Sequence, residues 1–312
     1  TPALLTVDLV PGNTVSVYVS AKGGGSENKA KFAVLNPSDS VADWVVDTVE
    51  KLGAGWCPPG ILGIGVGGSS DRAMAMAKKA LNDPLDMQAL LKNGPQNKSE
   101  ELRIEIYERV NALGIGAQGL GGVTTVLDVK IKSFPTHAAS LPVGLIPNCA
   151  ATRHLHFTLD GTGVPNFETP DLAAWPEILL DEANKNARRV DVDNLNEETL
   201  ASLKIGETLL LNGTIYTGRD AAHKRIVNFL DEGKALPVNL ENQTIYYVGP
   251  VDAVGDEVIG PAGPTTSTRM DKFTDRVLGD TGLKLMIGKA ERGPEAIEAI
   301  KKHKAVYAIA VG

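Results

Sequence analysis

The chain has 312 residues, which exceeds the usual size of a single hydrophobic core, so two domains are expected. A net charge of −7 argues against a nucleic-acid-binding surface, and no apolar stretch is long enough to span a bilayer. Hydrophobic residues make up 43% of the chain and its two cysteines are too few for a disulfide framework, which together favour a globular protein of the cytoplasm.

The predicted elements of the first half mix strands and helices. Residues 4–9 and 15–20 alternate like the two strands of a hairpin, with a turn at residues 11–13. Residues 133–149 are predicted to form a loop. The remaining predicted elements are strands at 61–65, 123–132 and 154–159, and helices at 41–51, 71–81 and 98–113.

The second half repeats a strand–helix unit three times, which predicts an α/β arrangement. The strands are predicted at 209–217, 244–248 and 283–287, and the helices at 221–230, 267–278 and 294–302. A polar stretch between residues 182 and 200 separates the halves, so we place one domain at 1–188 and a second at 190–312. Because the chain begins at Thr1 and ends within a strand-like run, both domains are expected to be truncated.

Two cysteines stand among residues that terminate regular structure. Cys57 lies in the run WCPPG, and Cys149 lies in the run PNCAATRH. Structural cysteines usually lie within apolar runs, whereas proline, glycine and polar neighbours favour a loop. The pattern therefore indicates thiols that can reach a metal or a substrate.

Two glycine patterns match the dinucleotide-binding spacing GxGxxG, at residues 63–68 and 114–119. The first is not followed by the acid-tipped second strand of that motif, and the second runs directly into a predicted strand. A nicotinamide site is therefore less favoured than contact of an anion with backbone N–H groups. Tight packing is the alternative interpretation for both patterns.

Histidine His137 lies in a run of small residues between the second glycine pattern and Cys149, which makes it a candidate functional residue. Loop histidines are often incidental, so the position alone does not decide its role. His154 and His156 alternate within a predicted strand and are interpreted as structural.

Three cations follow predicted strands of the second half. Arg219, Arg269 and Lys289 each stand where a strand gives way to a helix. In an open α/β sheet such junctions share one edge, where ligands bind. Three positive charges at that edge predict a site for a compact polyanion such as a dicarboxylate.

Four longer runs carry a family pattern. They are GIGAQGLGG at 114–122, PTHAAS through PNC at 135–149, LNGTIYTGRD at 211–220 and GPTTSTR at 263–269. Together they resemble class I iron–sulfur fumarate hydratase (fumarase), from the end of its alpha part through most of its beta part. Related hydro-lyases, notably L(+)-tartrate dehydratase, share much of the pattern.

The resemblance implies a cofactor and a fold. In the family three cysteines hold a [4Fe–4S] cluster, and Cys57 and Cys149 match the second and third of them. The first cysteine lies upstream in the family, beyond Thr1. The resemblance also implies that the first domain binds the cluster and that the second is a swivelling β/β/α domain that closes over it.

The resemblance further assigns roles by position. The substrate-binding residues that it implies are Gly23, Gly24, His137, Arg219, Arg269 and Lys289. Thr265 is implied in proton transfer, and His137 is carried over as a catalytic residue as well. The family's remaining base and one more arginine lie upstream, so the 312 residues alone are expected to be inactive.

The leading hypothesis is a hydro-lyase of the tricarboxylic acid cycle that hydrates fumarate to L-malate reversibly. The alternative within the class is L(+)-tartrate dehydratase, and two other classes stay open: a nicotinamide-dependent oxidoreductase and a non-catalytic carboxylate-binding domain. The family implies a homodimer in the cytoplasm, or in the mitochondrion of a eukaryote.

Overall fold

The computed structural model describes residues 4–165, 167, 171, 173 and 185–310. It contains both helices and sheets, which confirms the predicted α/β class. Part of the polar stretch predicted between residues 182 and 200 lies outside the described residues, and the domain boundary placed there stays a prediction. No helix in the described ranges is long and apolar enough to cross a membrane.

A four-stranded sheet forms the centre of the first part. The elements of this part are β1 (Val15–Ala21), α1 (Gly24–Glu27), β2 (Lys31–Leu35), α2 (Val41–Leu52), β3 (Gly60–Gly67), α3 (Ser70–Ala80), α4 (Met87–Asn93), α5 (Lys98–Ala112), β4 (Val126–Phe134), β5 (Leu141–Cys149) and β6 (Arg153–Leu159). The strand order of the central sheet is β2-β5-β3-β4, with β3 parallel to β4 and antiparallel to β5. A separate ribbon pairs β1 with β6.

Helix α2 begins and ends where local chemistry dictates. The Ser40 side chain accepts a hydrogen bond from the Asp43 N–H, which satisfies a donor that the first turn leaves free. Gly53 ends the helix with a φ of 53°, which glycine adopts without steric cost. Between these caps Val45 and Val49 are fully buried against the sheet. The predicted helix at 41–51 is confirmed.

Strand β3 uses alternate residues for its two faces. Leu62 and Ile64 enter the main core with α2 and α5. Gly63 and Gly65 face α3 instead, where a Cβ built on Gly65 would lie 1.9 Å from the carbonyl oxygen of Ala73. The first glycine pattern therefore lets a helix backbone approach a strand, and tight packing explains two of its three glycines.

The predicted hairpin at residues 4–20 is wrong. Residues 4–9 form no strand, and β1 pairs antiparallel with β6, so that Val15 lies opposite Leu159 and Ala21 opposite Arg153. Alternation signals a strand but does not identify its partner. Sequence proximity therefore gave the wrong partner for β1.

The predicted loop at 133–149 is also wrong in most of its length. Residues Leu141–Cys149 form β5, an inner strand of the sheet, and Cys149 is its last residue. Pro147 suggested a loop because proline cannot donate to a strand ladder. The buried side chains of Val143, Leu145 and Ile146 outweigh that preference.

The second part has three layers. Its elements are β7 (Arg188–Asp191), α6 (Glu197–Ser202), β8 (Leu209–Asn212), β9 (Tyr216–Thr217), α7 (Asp220–Asp231), β10 (Thr244–Tyr246), α8 (Asp271–Thr281), β11 (Leu285–Gly288), α9 (Pro294–Lys302) and β12 (Val306–Ile309). A parallel sheet of order β12-β11-β10-β9 lies between a helical layer and a two-stranded parallel sheet, β7-β8, which gives the predicted β/β/α arrangement. Leu285 of the central sheet is fully buried in the core that it shares with the smaller sheet.

Candidate active site

Cys57 stands in a constrained loop between α2 and β3. Its φ of 66° lies in the left-handed region, and its N–H donates to the Ala54 carbonyl at 3.0 Å. Trp56 beside it is fully buried and anchors the loop in the core. The thiol is free and half-buried, so the loop holds it at the surface of the sheet without enclosing it.

Cys149 lies beside the Cys57 loop because β5 pairs with β3. Cys149 is opposite Gly60, and the N–H of Ala150 donates to the Pro59 carbonyl at 3.2 Å. Its thiol is also free and half-buried. The two cysteines, 92 positions apart by their residue numbers, are thus held on adjoining backbone segments.

Both thiols face one glycine turn. A Cβ built on Gly23 would lie 3.8 Å from Cys149 Sγ, and one built on Gly25 would lie 3.9 Å from Cys57 Sγ. Gly24 between them has no atom within 4 Å of such a position. The turn predicted to approach the substrate therefore lies against both predicted metal ligands.

Lys289 brings the second part of the chain to this place. Its Nζ lies 2.9 Å from Cys57 Sγ. Its backbone is held at the end of β11, where the Lys289 N–H donates to Ser267 Oγ at 3.0 Å and the Lys289 carbonyl accepts from the Ser267 N–H at 3.0 Å. A predicted cation and a predicted metal ligand thus meet in space although 232 positions separate them.

The other predicted cations lie at the same edge of the parallel sheet. Arg219 follows β9 and crosses the end of β10, since a Cβ built on Gly249 would lie 3.3 Å from its guanidinium carbon. Arg269 lies in the short 3-10 turn Ser267–Met270, and its Nη2 donates a hydrogen bond to Asp220 Oδ2 at 2.8 Å. Thr265 joins them because its N–H donates to the Tyr247 carbonyl at 2.8 Å.

The pairing of Arg269 with Asp220 sets the charge state of that carboxyl. Partial burial would raise its pKa, but the Arg269 guanidinium and hydrogen bonds from backbone N–H groups outweigh burial and hold the pKa of Asp220 below its ordinary value. Asp220 therefore stays ionised at neutral pH and fixes the orientation of Arg269.

The structure does not bring His137 to the cysteines. His137 is exposed in the loop after β4, and its Nδ1 accepts a hydrogen bond from the Ala139 N–H at 3.1 Å. Phe134 at the end of β4 pairs with Gly67, whereas Cys149 pairs with the opposite end of β3. At about 3.3 Å per residue, the eight residues of β3 separate these ends by roughly 23 Å.

The glycine-rich loop at 114–122 supports the Cys57 loop, a role that the sequence did not reveal. Gln118 adopts a φ of 55° and its N–H donates to the Pro58 carbonyl at 2.7 Å, with its side-chain amide donating to the same oxygen at 3.3 Å. Its Oε1 is buried without a partner among the described residues. In the sequence, the one sign of this supporting role is that Gln118 is the only polar side chain in the run GIGAQGLGG.

Lys22 is a second residue whose contacts the sequence did not reveal. Its Nζ donates to Ser26 Oγ at 2.9 Å and lies 3.1 Å from Glu27 Oε2. Burial lowers the pKa of Lys22, and hydrogen bonding to Glu27, with a smaller electrostatic contribution from Cys149, offsets only part of that effect. A partly buried ammonium therefore stands beside the glycine turn and Cys149.

Beside the glycine turn, the described residues offer two thiols as candidate metal ligands. No group of three or more histidine, cysteine or acidic side chains in the described ranges is arranged to hold a metal ion. Two buried polar atoms on residues next to the cysteines in sequence, Trp56 Nε1 and Asn148 Oδ1, have no hydrogen-bond partner in that same part of the chain.

Comparison with known proteins identifies relatives of both parts. The chain is 32% identical over 325 residues to "Fumarate hydratase class I, aerobic" of Salmonella typhimurium, and the match covers 100% of this chain and 56% of that relative. It is 31% identical over 326 residues to "Fumarate hydratase 1, mitochondrial" of Leishmania major, covering 100% of this chain and 59% of the relative.

A third relative matches only one part. The chain is 41% identical over 145 residues to "Putative L(+)-tartrate dehydratase subunit alpha" of Methanocaldococcus jannaschii, covering 45% of this chain and 48% of that relative. The chain thus spans less than two thirds of the length of all three relatives.

Two family models match consecutive parts of the sequence. Residues 1–158 match the model described as fumarate hydratase (fumerase), and residues 161–312 match the model described as the fumarase C-terminus. Because the first match alone covers more than half of the 312 residues and the second continues it to the end, the chain belongs to the fumarate hydratase family.

Proposed function

We propose that the protein containing this chain is a hydro-lyase that catalyses the reversible hydration of fumarate to L-malate. The observation that carries the proposal is the 2.9 Å contact between Lys289 Nζ and Cys57 Sγ. It joins a cation proposed for dicarboxylate binding to a thiol proposed as a metal ligand. Relatives named fumarate hydratase that match the whole chain support the same activity.

The thiols fit an iron–sulfur cluster in part. Two free, half-buried cysteines that face one glycine turn suit thiolate ligation of iron. The chain has only two cysteines, however, and the proposed [4Fe–4S] cluster needs a third protein ligand. We propose Cys57 and Cys149 as two of its ligands. When bound, the cluster would act as a Lewis acid on the C–O bond that forms or breaks.

The cations of the second part would hold the substrate. Fumarate and malate carry two carboxylates, and arginine binds a carboxylate through two parallel hydrogen bonds. Arg219 and Arg269 are exposed at the carboxyl edge of the sheet, and Asp220 orients the latter. Lys289 would bring a third positive charge toward Cys57, where Gly23 and Gly24 leave room for a ligand.

Proton transfer is assigned by resemblance. Thr265 lies at the sheet edge with its backbone fixed to Tyr247, which supports a defined position for its hydroxyl. His137 follows the strand end that pairs with Gly67, and Cys149 pairs with the other end of β3, roughly 23 Å away, so a catalytic role for His137 requires an arrangement beyond this chain's own contacts. We retain both residues as proposed catalytic groups.

L(+)-tartrate dehydration is the second candidate because one relative of the first part carries that name. Tartrate is also a hydroxylated four-carbon diacid, so the same cations would bind it. A nicotinamide-dependent reaction has less support, because Gly63 and Gly65 of the first glycine pattern serve helix packing. We further propose a role in the tricarboxylic acid cycle, a homodimer, and a cytoplasmic or mitochondrial location.

The proposal is tested on the native protein that contains these 312 residues, reconstituted anaerobically with iron and sulfide. We expect L-malate to produce the ultraviolet absorbance of fumarate, with a kcat/KM higher than that for L(+)-tartrate. The change Arg219→Met removes charge-assisted hydrogen bonding worth about 1.5–3 kcal/mol, so kcat/KM should fall roughly 10- to 160-fold.

Arg225→Met is the matched control, since Arg225 is an exposed arginine on α7 outside the proposed site. It should leave kcat/KM unchanged. An anaerobically reconstituted protein that turns over tartrate faster than malate would favour the second candidate. Turnover of neither diacid by a protein with a stable cluster would refute both.

A further inference from the structure

The segment that begins with the last residue of β11 contacts the first part of the chain through two side chains. We call residues 288–293 the clasp segment. Its Lys289 Nζ lies 2.9 Å from Cys57 Sγ. Its Glu291 reaches the end of α2, where a Cβ built on Gly53 would lie 2.9 Å from Glu291 Oε1, and also the glycine-rich loop, where one built on Gly119 would lie 4.0 Å from Oε2.

The backbone of the clasp segment has a conformation that its residues do not favour. Ala290 has a φ of 65°, in the left-handed region that residues with a Cβ rarely adopt, and it is buried. Its carbonyl accepts from the Tyr307 hydroxyl at 2.7 Å. Such a backbone persists only where the surrounding contacts over-determine it.

Arg292 makes the most deeply buried of these contacts. Its side chain is 2% exposed, its Nε donates to Asp271 Oδ1 at 2.7 Å, and its Nη2 donates to Thr274 Oγ1 at 2.6 Å. The guanidinium carbon lies 5.5 Å from the centroid of the Tyr247 ring and 5.0 Å from that of Tyr307. A planar donor fork held in this way has one orientation.

The same carboxylate also binds the next residue of the segment. Asp271 Oδ2 accepts from the Gly293 N–H at 2.7 Å. Asp271 begins α8, so two adjacent residues of the clasp segment are tied to the start of one helix. The segment is therefore fixed at Lys289 by Ser267 and at Arg292 by Asp271, with the left-handed Ala290 between these points.

We propose that Arg292 is a positioning residue that sets the clasp segment so that the Lys289 ammonium reaches Cys57. The functional meaning of that position rests on the proposed function, in which Lys289 binds the dicarboxylate. The geometric claim does not, because it concerns the distance between two side chains of this chain. A residue that only stabilised the fold would not change that distance in a folded variant.

The distance is measured by cross-linking in the full chain, free of iron. Succinimidyl iodoacetate joins an amine to a thiol through one acetyl group, which suits the 2.9 Å contact of Lys289 with Cys57. Peptide mass spectrometry gives the yield of the joined pair, normalised to reagent attached at Cys149. The variants are Arg292→Lys and Arg292→Met, and the control is Arg276→Lys, a half-exposed arginine of α8.

We expect both Arg292 variants to lower the normalised yield at least fivefold while far-UV circular dichroism is unchanged, and we expect the control to match the unaltered chain. Asp271→Asn, which removes the charge that Arg292 faces, should also lower the normalised yield. It replaces Arg292→Met in the comparison if Arg292→Met does not fold. An unchanged yield in any folded Arg292 variant overturns the proposal. Loss of folding in all three variants overturns it too, because Arg292 would then be a core residue.

Kinetics of the native protein separate this proposal from the proposed function. With malate as substrate, Arg292→Lys should raise KM at least tenfold and lower kcat by a smaller factor, as expected for a displaced binding group. A native protein inactive with malate would refute the proposed function, and the cross-linking yield would still decide the role of Arg292.

Discussion

The packing of α3 on β3 yields a quantitative prediction for Gly65→Ala. A Cβ at residue 65 would lie 1.9 Å from the Ala73 carbonyl oxygen and 2.9 Å from the Ala77 nitrogen, both backbone atoms of a helix. Relief of the closer contact requires α3 to move by more than about 1 Å, which unpacks its buried face. Overpacking of this kind costs about 1–3 kcal/mol, and the lack of a movable side chain places Gly65→Ala near the upper end.

The measurement is urea unfolding followed by far-UV circular dichroism, with the free energy of unfolding obtained by linear extrapolation. Gly24→Ala is the matched control, because no atom lies within 4 Å of its built Cβ and its φ is not positive. Alanine at residue 24 should change the free energy of unfolding by less than about 0.5 kcal/mol or raise it slightly. Equal unfolding midpoints for Gly65→Ala and the unaltered chain would refute the described packing.

Three further predictions concern buried polar groups and pH. Ser267→Ala should lower the free energy of unfolding by about 1–3 kcal/mol, because the fully buried hydroxyl accepts a hydrogen bond from the Lys289 N–H at 3.0 Å and its removal leaves that donor unpaired. A change below about 0.5 kcal/mol in urea unfolding would contradict this. Asp128→Ala should lower the free energy of unfolding by about 3–5 kcal/mol in the same assay, because the 1%-exposed carboxylate neutralises the buried cations Arg103 and Lys130. A loss of only about 0–1 kcal/mol, as for an exposed ion pair, would show that these three side chains are solvated. The pKa of Asp220 is depressed in the folded chain, so its pair with Arg269 stabilises the fold above about pH 4 and loses this effect as pH falls through the folded-state pKa. The difference in the free energy of unfolding between the unaltered chain and Asp220→Asn should therefore shrink between about pH 6 and pH 3. A constant difference would disprove the linkage.

Sequence patterns predicted the elements whose signals are local. Helix α9 occupies the predicted residues 294–302 because Pro294 can start a helix without losing a hydrogen bond and Ala296 and Ala299 supply a buried stripe. The strand predicted at 209–217 divides into β8 and β9, which belong to different sheets. Each strand has apolar residues, and nothing in a run of letters marks where a strand passes from one layer to the next.

The candidate site was predictable as a set of residues and not as an arrangement. Loop chemistry indicated Cys57 and strand–helix junctions indicated Lys289, but neither pattern indicated that the two side chains meet at 2.9 Å next to the left-handed residue Ala290. Nothing in the residue types at 288–293 predicts that conformation, because the Ala290 carbonyl is held from outside the segment by the Tyr307 hydroxyl. Long-range contacts of this kind are where sequence reasoning stops.

The β1–β6 ribbon has a consequence for how the protein is made. The last residue of β1, Ala21, pairs with Arg153. Strand β2 likewise pairs with β5, which begins only at Leu141. A ribosome adding 5–20 residues per second needs roughly 7–26 s to extend the chain from β1 to β6. During that interval both strands have unpaired edges, and closing so long a loop also slows folding. The first part of the chain therefore completes its sheet only after β5 and β6 have been synthesised, and until then newly made β1 and β2 are segments that a chaperone can bind.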